Sequence, residues 1–167
     1  MASAVIQFLN GLASASTLFL VAVGLSLIFG VTRIVNFAHG SLYMLGIYLA
    51  YSFITKLDAG APGFFGGVIA AAIAVGVVGA VIEIVILRRV YQAPELFQLL
   101  ATFALTLVIK DVALWSWGAE DLLGPRAPGL RGSVEILGLP FPEYDLFLIA
   151  VGPVVLGALW LLLNRTR

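Results

Sequence analysis

The chain has 167 residues, of which 62% are hydrophobic and 11% are charged, and its mean hydropathy is +1.11. This composition excludes an ordinary soluble enzyme as the leading interpretation, and the balance of nine Lys and Arg against nine Asp and Glu disfavours binding to nucleic acid. Because the sequence has no cysteine and a single histidine, His39, we predict no metal site and no cofactor.

Long apolar runs separated by charged residues predict membrane-spanning segments. The first run extends from Met1 to Thr32 without an ionisable side chain, and a bilayer core of about 30 Å needs roughly 20 helical residues. Near-continuous apolarity without strict alternation favours helices over a closed barrel. The sequence therefore predicts an all-α polytopic membrane protein, with a single membrane domain over residues 1–167 and about five segments. These segments are residues 5–32, 34–55, 66–87, 96–117 and 146–163.

Arginines at the ends of two segments predict the orientation. Arg88 and Arg89 follow the third segment, and Arg165 and Arg167 follow the fifth, two crossings later. Both pairs are therefore expected on the cytoplasmic side. The connection over residues 118–144 then lies outside, either as an ordered external cap or docking surface or as a plain connector.

Small residues four positions apart predict faces on which helices approach each other closely. Glu83 lies near one of these faces, and we expect it to form an ion pair with Arg88 or with a neighbouring helix, a role in transport being the alternative. The two files of small residues are Ala22, Ser26 and Gly30 on the first segment and Ala72, Gly76 and Ala80 on the third.

A polar stripe runs along the fourth segment. Gln98, Thr102, Thr106 and Lys110 follow each other at four-residue spacing on an otherwise apolar helix. Such a stripe cannot face lipid at low cost. Either these side chains form hydrogen bonds between helices and to their own backbone, or Gln98, Thr102 and Thr106 line an aqueous solute path.

The second segment, Ile34 to Thr55, begins with polar residues. Asn36, His39, Gly40 and Ser41 bring an amide, an imidazole and a hydroxyl into apolar sequence. If the helix begins near Ser41, the preceding backbone is non-helical at membrane depth, which occurs only beside protein or a water-filled cavity. A broken helix of this kind presents free N–H groups to a polar solute, which argues for a transport site beside these residues. The alternative is a continuous helix whose polar groups bond to neighbouring helices.

Three runs of residues give the chain a resemblance to a known family. They read Gly-Leu-Ser-Leu-Ile-Phe-Gly-Val-Thr-Arg-Ile-Val over residues 24–35, Asn-Phe-Ala-His-Gly over 36–40 and Tyr-Met-Leu-Gly over 43–46. The chain resembles the branched-chain amino acid permeases of ABC importers. The resemblance implies a multi-pass subunit of the bacterial inner membrane that imports branched-chain amino acids or related small solutes. It also implies partners: a second permease subunit, two cytoplasmic ATP-binding subunits and a periplasmic solute-binding protein.

The resemblance also has implications for single residues. By position, Asn36, His39 and Gly40 match the family motif, so the resemblance implies that they take part in the translocation pathway together with Ser41, where some members of the family carry an acidic residue. Such permeases are about twice as long, so we expect the chain to correspond to the N-terminal half, and a truncated or assembly-only subunit is the alternative function. ATP hydrolysis is expected in a partner because the chain has no Gly-x-x-x-x-Gly-Lys-Ser/Thr sequence. An enzyme is disfavoured because His39 and Ser41 would point about 200° apart on a helix.

Overall fold

The computed structural model describes residues 2–33, 35–57 and 60–165, and helices dominate this part of the chain. A π-helical turn, Glu83–Leu87, joins α3 to the short helix α4, so that Gly60–Val90 forms one continuous helical rod. A small antiparallel hairpin precedes the last helix. The elements are α1 Ala2–Thr32, α2 Ala38–Leu57, α3 Gly60–Ile82, α4 Arg88–Val90, α5 Glu95–Trp117, β1 Ser133–Ile136, β2 Leu139–Pro142 and α6 Glu143–Arg165.

The long helices confirm the prediction of an all-α polytopic membrane protein. Within the described residues, four helices are long and apolar enough to cross a bilayer. They are Ala2–Gly30, Gly60–Val90, Glu95–Trp117 and Glu143–Arg165. The predicted count of five segments is not confirmed, because α2, which stands in place of the second segment, is not one of the four.

The composition of α2 explains why it is not among the four apolar helices. It has 20 residues, enough for about 30 Å of helix, but His39 and Lys56 and several hydroxyl groups reduce its apolar character. Ile34, at the predicted start of this segment, lies outside the described residues, as does Arg167 of the predicted cytoplasmic arginines.

The chain divides into two compact units. Residues up to Gly24, together with those from Arg126 onward, form one unit, which contains the hairpin and α6. The other unit, Leu25–Pro125, contains the end of α1 and all of α2, α3, α4 and α5. The candidate functional residues described below all lie in this second unit.

Helix α2 packs against α3 and α5. The closest approach to α3 is at Gly67, where an added Cβ would lie 2.7 Å from Ile54 Cγ1 and 3.0 Å from the Ile54 backbone nitrogen. Gly63 and Ala71 are also buried on this face of α3. Because these residues have little or no side chain, the two helix backbones can come into contact. A cluster of buried apolar residues completes the core between α2 and α5: Ala38, Leu45, Leu105 and Ile109.

The face of α3 that packs against α2 contains Gly63, Gly67 and Ala71, and it is shifted by one residue from the predicted file of small residues. Ala72, Gly76 and Ala80 are exposed. The file on α1 is also exposed, and it consists of Ala22, Ser26 and Gly30. The close packing of these two files with other helices therefore stays a prediction.

The hairpin is fixed by its turn and by the first residue of α6. Leu137 and Gly138, between the strands, both have positive φ angles, of 53° and 79°, as a tight hairpin turn requires. Phe141 on β2 is fully buried. The Gly132 amide donates to Glu143 Oε2 at 3.2 Å, and the Glu143 amide donates to the Gly132 carbonyl at 3.1 Å. The hairpin lies within the connection 118–144.

Candidate functional site

A cavity of about 500 Å³ lies in the second unit, bounded by the end of α1, the start of α2, the π turn and α5. Its size and its mainly apolar wall are typical of a pocket for a small solute. The polar residues of the wall are Asn36, Glu83, Tyr91 and Thr102, and its apolar residues are Leu27, Ile28, Ala38, Leu42, Gly79, Ile82 and Leu87.

The backbone between α1 and α2 is interrupted beside this cavity. Helix α1 ends at Thr32, and Arg33 has a φ of 55°, in the left-handed region that commonly follows a helix end. Residues 35–37 are not helical, and α2 begins at Ala38. A continuous helix over residues 34–55 is therefore not formed. Helix α2 nevertheless begins three residues before Ser41, the residue near which its start was expected.

Asn36 forms the N-terminal cap of α2. Its side-chain Oδ1 accepts a hydrogen bond from the Ala38 amide at 3.0 Å, and its carbonyl accepts one from the His39 amide at 3.2 Å. This satisfies backbone donors that a helix start leaves without partners. Asn36 Nδ2 takes no part in this cap, and Asn36 lines the cavity.

The other polar residues of the second segment do not line the cavity. His39 is half-buried in the first turn of α2, and Gly40 is exposed. Ser41 is buried, with 6% of its surface exposed, in the face of α2 that contributes Leu45 to the core. Of the four candidates from this segment, the structure thus places only Asn36 in the cavity wall.

Only one residue of the polar stripe on α5 lines the cavity. Thr102 is fully buried and lines the cavity, and its hydroxyl donates to the Leu99 carbonyl at 3.1 Å. Thr106 donates to the Thr102 carbonyl at 3.0 Å, whereas Lys110 is exposed. Both threonines therefore satisfy their hydroxyl donors on their own helix, which is the structural alternative for this stripe.

Gln98 fixes the loop that leads into α5. Its Nε2 donates to the Tyr91 carbonyl at 3.1 Å and to the Ala93 carbonyl at 2.8 Å. The side chain thus satisfies two acceptors of the loop and holds Tyr91 in place. Gln98 positions a residue of the cavity wall and does not itself line the cavity.

Glu83 and Tyr91 are the two polar wall residues outside the predicted pathway set; transport is the alternative role predicted for Glu83, and no role is predicted for Tyr91. The Tyr91 hydroxyl donates to Glu83 Oε2, and Arg88 Nε lies 3.7 Å from Glu83 Oε1, the ion pair that the sequence predicted. The π turn begins at Glu83, and such turns are frequent at functional sites. A carboxylate within an apolar segment was the available signal for Glu83. Tyr91 had none, because its contact depends on the path of the loop.

Tyr91 lies in the loop just after the helical rod, and its phenol is held in the protonated form. Burial, together with the hydrogen bond to Glu83 and the proximity of its charge, raises the pKa of Tyr91 from its ordinary value of 10.0 to about 12. The neutral phenol therefore remains a hydrogen-bond donor to the carboxylate throughout the physiological range.

We expect the Tyr91 phenol to ionise near pH 12 in the folded chain. Because the folded-state pKa is raised, its contribution to stability is fully present below pH 10 and is lost as the pH rises through about 12. The ultraviolet absorbance of tyrosinate, measured in detergent for the natural chain and for Tyr91→Phe, gives the titration of this residue by difference. A difference titration centred near pH 10 would contradict the prediction.

The comparison with known families gives one assignment. The family described as branched-chain amino acid transport system, permease component, matches residues 7–167. The chain belongs to this family. Its resemblance to branched-chain amino acid permeases is thereby confirmed. Since the members are permease components of transport systems, the expectation of a transport subunit that is not an enzyme is confirmed as well.

Individual relatives agree with this assignment. The high-affinity branched-chain amino acid transport system permease protein BraD of Pseudomonas aeruginosa is 27% identical over 169 residues, which cover 96% of this chain and 55% of BraD. The permease protein LivH of the corresponding system of Escherichia coli K12 is 30% identical over 128 residues, 71% of this chain and 40% of LivH. LivH of Salmonella typhimurium gives the same identity and coverage. No solved structure matches the permease chain significantly.

The permease chain spans about half the length of these relatives, 55% of BraD and 40% of LivH. The family assignment and the four apolar helices of the described residues together show that the chain is a multi-pass membrane protein of a transport system.

Proposed function

We propose that the chain forms part of the membrane permease of an ABC importer that moves branched-chain amino acids or related small solutes into the cytoplasm. Its partners in this proposal are a second permease subunit, two cytoplasmic ATP-binding subunits and a periplasmic solute-binding protein in the bacterial inner membrane. The family assignment and the names of BraD and LivH, which identify them as permease proteins of branched-chain amino acid transport systems, support this proposal.

The observation that carries the proposal is the cavity beside the interrupted helix. Asn36 and Thr102 line this cavity together with apolar residues of α1, α2 and the π turn. Non-helical backbone at membrane depth is stable where it borders protein or water. Because aliphatic amino acids have an apolar body and polar ends, a mainly apolar wall with a few polar groups suits them. We therefore assign the cavity to the translocation pathway, with Asn36 and Thr102 in its wall.

The proposal predicts that water reaches the cavity. The chain has no cysteine, so a single introduced cysteine is the only thiol that a reagent can modify. We expect Leu42→Cys to react with a charged, water-borne thiol reagent in membrane vesicles, because Leu42 lines the cavity and is half-buried, and a hydrated thiol ionises and reacts. Ile73→Cys is the matched control, since Ile73 is 63% exposed on apolar α3 and is expected to face lipid.

Three outcomes decide the assignment. Modification of position 42 but not position 73 supports a hydrated pathway. Failure of Leu42→Cys to react while a cysteine at the exposed loop residue Leu123 reacts fully would contradict it. Uptake of radiolabelled leucine by the complete transporter tests the function itself: a loss of uptake when Leu42→Cys is modified supports transport through this cavity, and undiminished uptake argues against it.

A further inference from the structure

Glu83 is the one charged side chain among the described residues that line the cavity. It lies at the start of the π turn, within the apolar rod Gly60–Val90, seven residues before the end of that rod. At about 1.5 Å per residue, its backbone lies about 10 Å from the helix end. An ionisable group within an apolar membrane segment is rare and is, by default, a functional-site hypothesis.

The Glu83 carboxylate has unused hydrogen-bonding capacity. Tyr91 donates to Oε2, whereas Oε1 accepts no hydrogen bond from the described residues and has Arg88 Nε at 3.7 Å. A carboxylate can accept about four hydrogen bonds. The Arg88 side chain is 66% exposed, and ion pairs with exposed partners contribute little to stability. A cation that enters the cavity can therefore replace Arg88 at Oε1.

The other residues of the cavity wall indicate which further chemical groups the bound cation has. Leu42, Ile82 and Leu87 provide an apolar surface for an aliphatic body. Since Glu83 is the one charged side chain of the described cavity wall, the wall itself favours a cation over a simple anion. Asn36 Nδ2, which is not used in capping α2, is a neutral donor for a second polar group of the solute.

We propose that the Glu83 carboxylate binds the ammonium group of an aliphatic amino acid or amine in this cavity, displacing Arg88. This inference rests on the proposed function, since solutes must first enter the cavity, and it identifies the chemical group that they must carry. Tyr91 positions the carboxylate by donating to Oε2 and leaves Oε1 free for the ammonium group.

The test measures protection of a cysteine in the cavity wall. Leu42→Cys lies in the wall and leaves all the polar wall residues intact. Membrane vesicles that contain this chain are treated with a water-borne thiol reagent in the presence of leucine, isoamylamine or isocaproate. The first two probes carry an ammonium group, and isocaproate has a similar aliphatic body without one. We expect leucine and isoamylamine to slow the modification and isocaproate to leave it unchanged.

Charge variants in the same Leu42→Cys background separate binding from a structural ion pair. Glu83→Gln is expected to raise the half-protecting concentration of leucine and isoamylamine about tenfold or more, because hydrogen bonds between charged groups are among the stronger ones. Arg88→Gln removes the competing cation and is expected to lower that concentration. Glu95→Gln, which removes an exposed carboxylate in the first turn of α5, is the matched control and is expected to have no effect.

The outcomes that overturn the inference are distinct from failure of the proposed function. Equal protection by all three probes, or protection that Glu83→Gln does not weaken, overturns the inference alone. If Arg88→Gln weakens protection as much as Glu83→Gln does, the two residues form a structural pair and the inference is also wrong. If Leu42→Cys is never modified, the cavity is not hydrated, and the proposed function is overturned together with the inference.

Discussion

Replacing Gly67 by leucine is expected to disrupt the contact between α2 and α3 and to remove most of the folded chain from the membrane. Even a methyl group at this position would lie 2.7 Å from Ile54 Cγ1 and 3.0 Å from the Ile54 backbone nitrogen. The side chain of Ile54 can rotate, but its backbone cannot move without shifting α2. Inserting a larger side chain into such a contact typically costs about 1–3 kcal/mol, and here the backbone must move as well.

The neighbouring glycine provides the matched control. Gly66 lies on the same helix but is exposed, and an added Cβ there would meet no atom within 4 Å. Both substitutions raise helix propensity equally, so that contribution cancels in the comparison. Thermal unfolding in detergent and the amount of chain in the membrane measure the difference. Equal melting temperatures for Gly66→Leu and Gly67→Leu would show that the close contact does not stabilise the chain.

The same helix shows how far the sequence alone determines packing. The all-α class could be predicted because only helices and closed barrels satisfy their backbone hydrogen bonds in a bilayer, and near-continuous apolar runs without alternation favour helices. The packing face of α3 could not be predicted. Small residues lie on two faces of that helix, Gly63 and Gly67 on one and Gly76 and Ala80 on the other. Only the approach of Ile54 distinguishes the first face from the second.

The candidate site could be predicted only in part. Asn36 and Thr102 stand out in the sequence because they are polar residues in apolar segments, and both line the cavity. Four-residue spacing also placed Gln98 and Thr106 with Thr102, but a cavity is local, and only one turn of α5 borders it. Tyr91 joins the wall because the π turn and the following loop bring it back to Glu83, a contact across eight positions that sequence periodicity does not encode.

Replacing Asn36 by leucine is expected to reduce uptake of radiolabelled leucine by the complete transporter at least about tenfold. The substitution removes two functions of the amide. Its Oδ1 caps α2 by accepting from the Ala38 amide, and the loss of such a cap costs about 0.5–2 kcal/mol. Its Nδ2 is a hydrogen-bond donor at the cavity wall, which leucine replaces with an apolar group. Insertion in the membrane is expected to persist, because the long apolar helices are unchanged.

Serine at position 36 separates these two functions. Its hydroxyl oxygen can still cap α2. We therefore expect the free energy of unfolding of Asn36→Ser to lie within about 0.5 kcal/mol of that of the natural chain, and that of Asn36→Leu to be clearly lower. Serine is shorter than asparagine and lacks the amide donor, so uptake should still fall if Nδ2 contacts the solute. Full uptake by Asn36→Ser would reduce the role of Asn36 to capping. Full uptake by Asn36→Leu, at normal membrane levels, would remove Asn36 from the translocation pathway altogether.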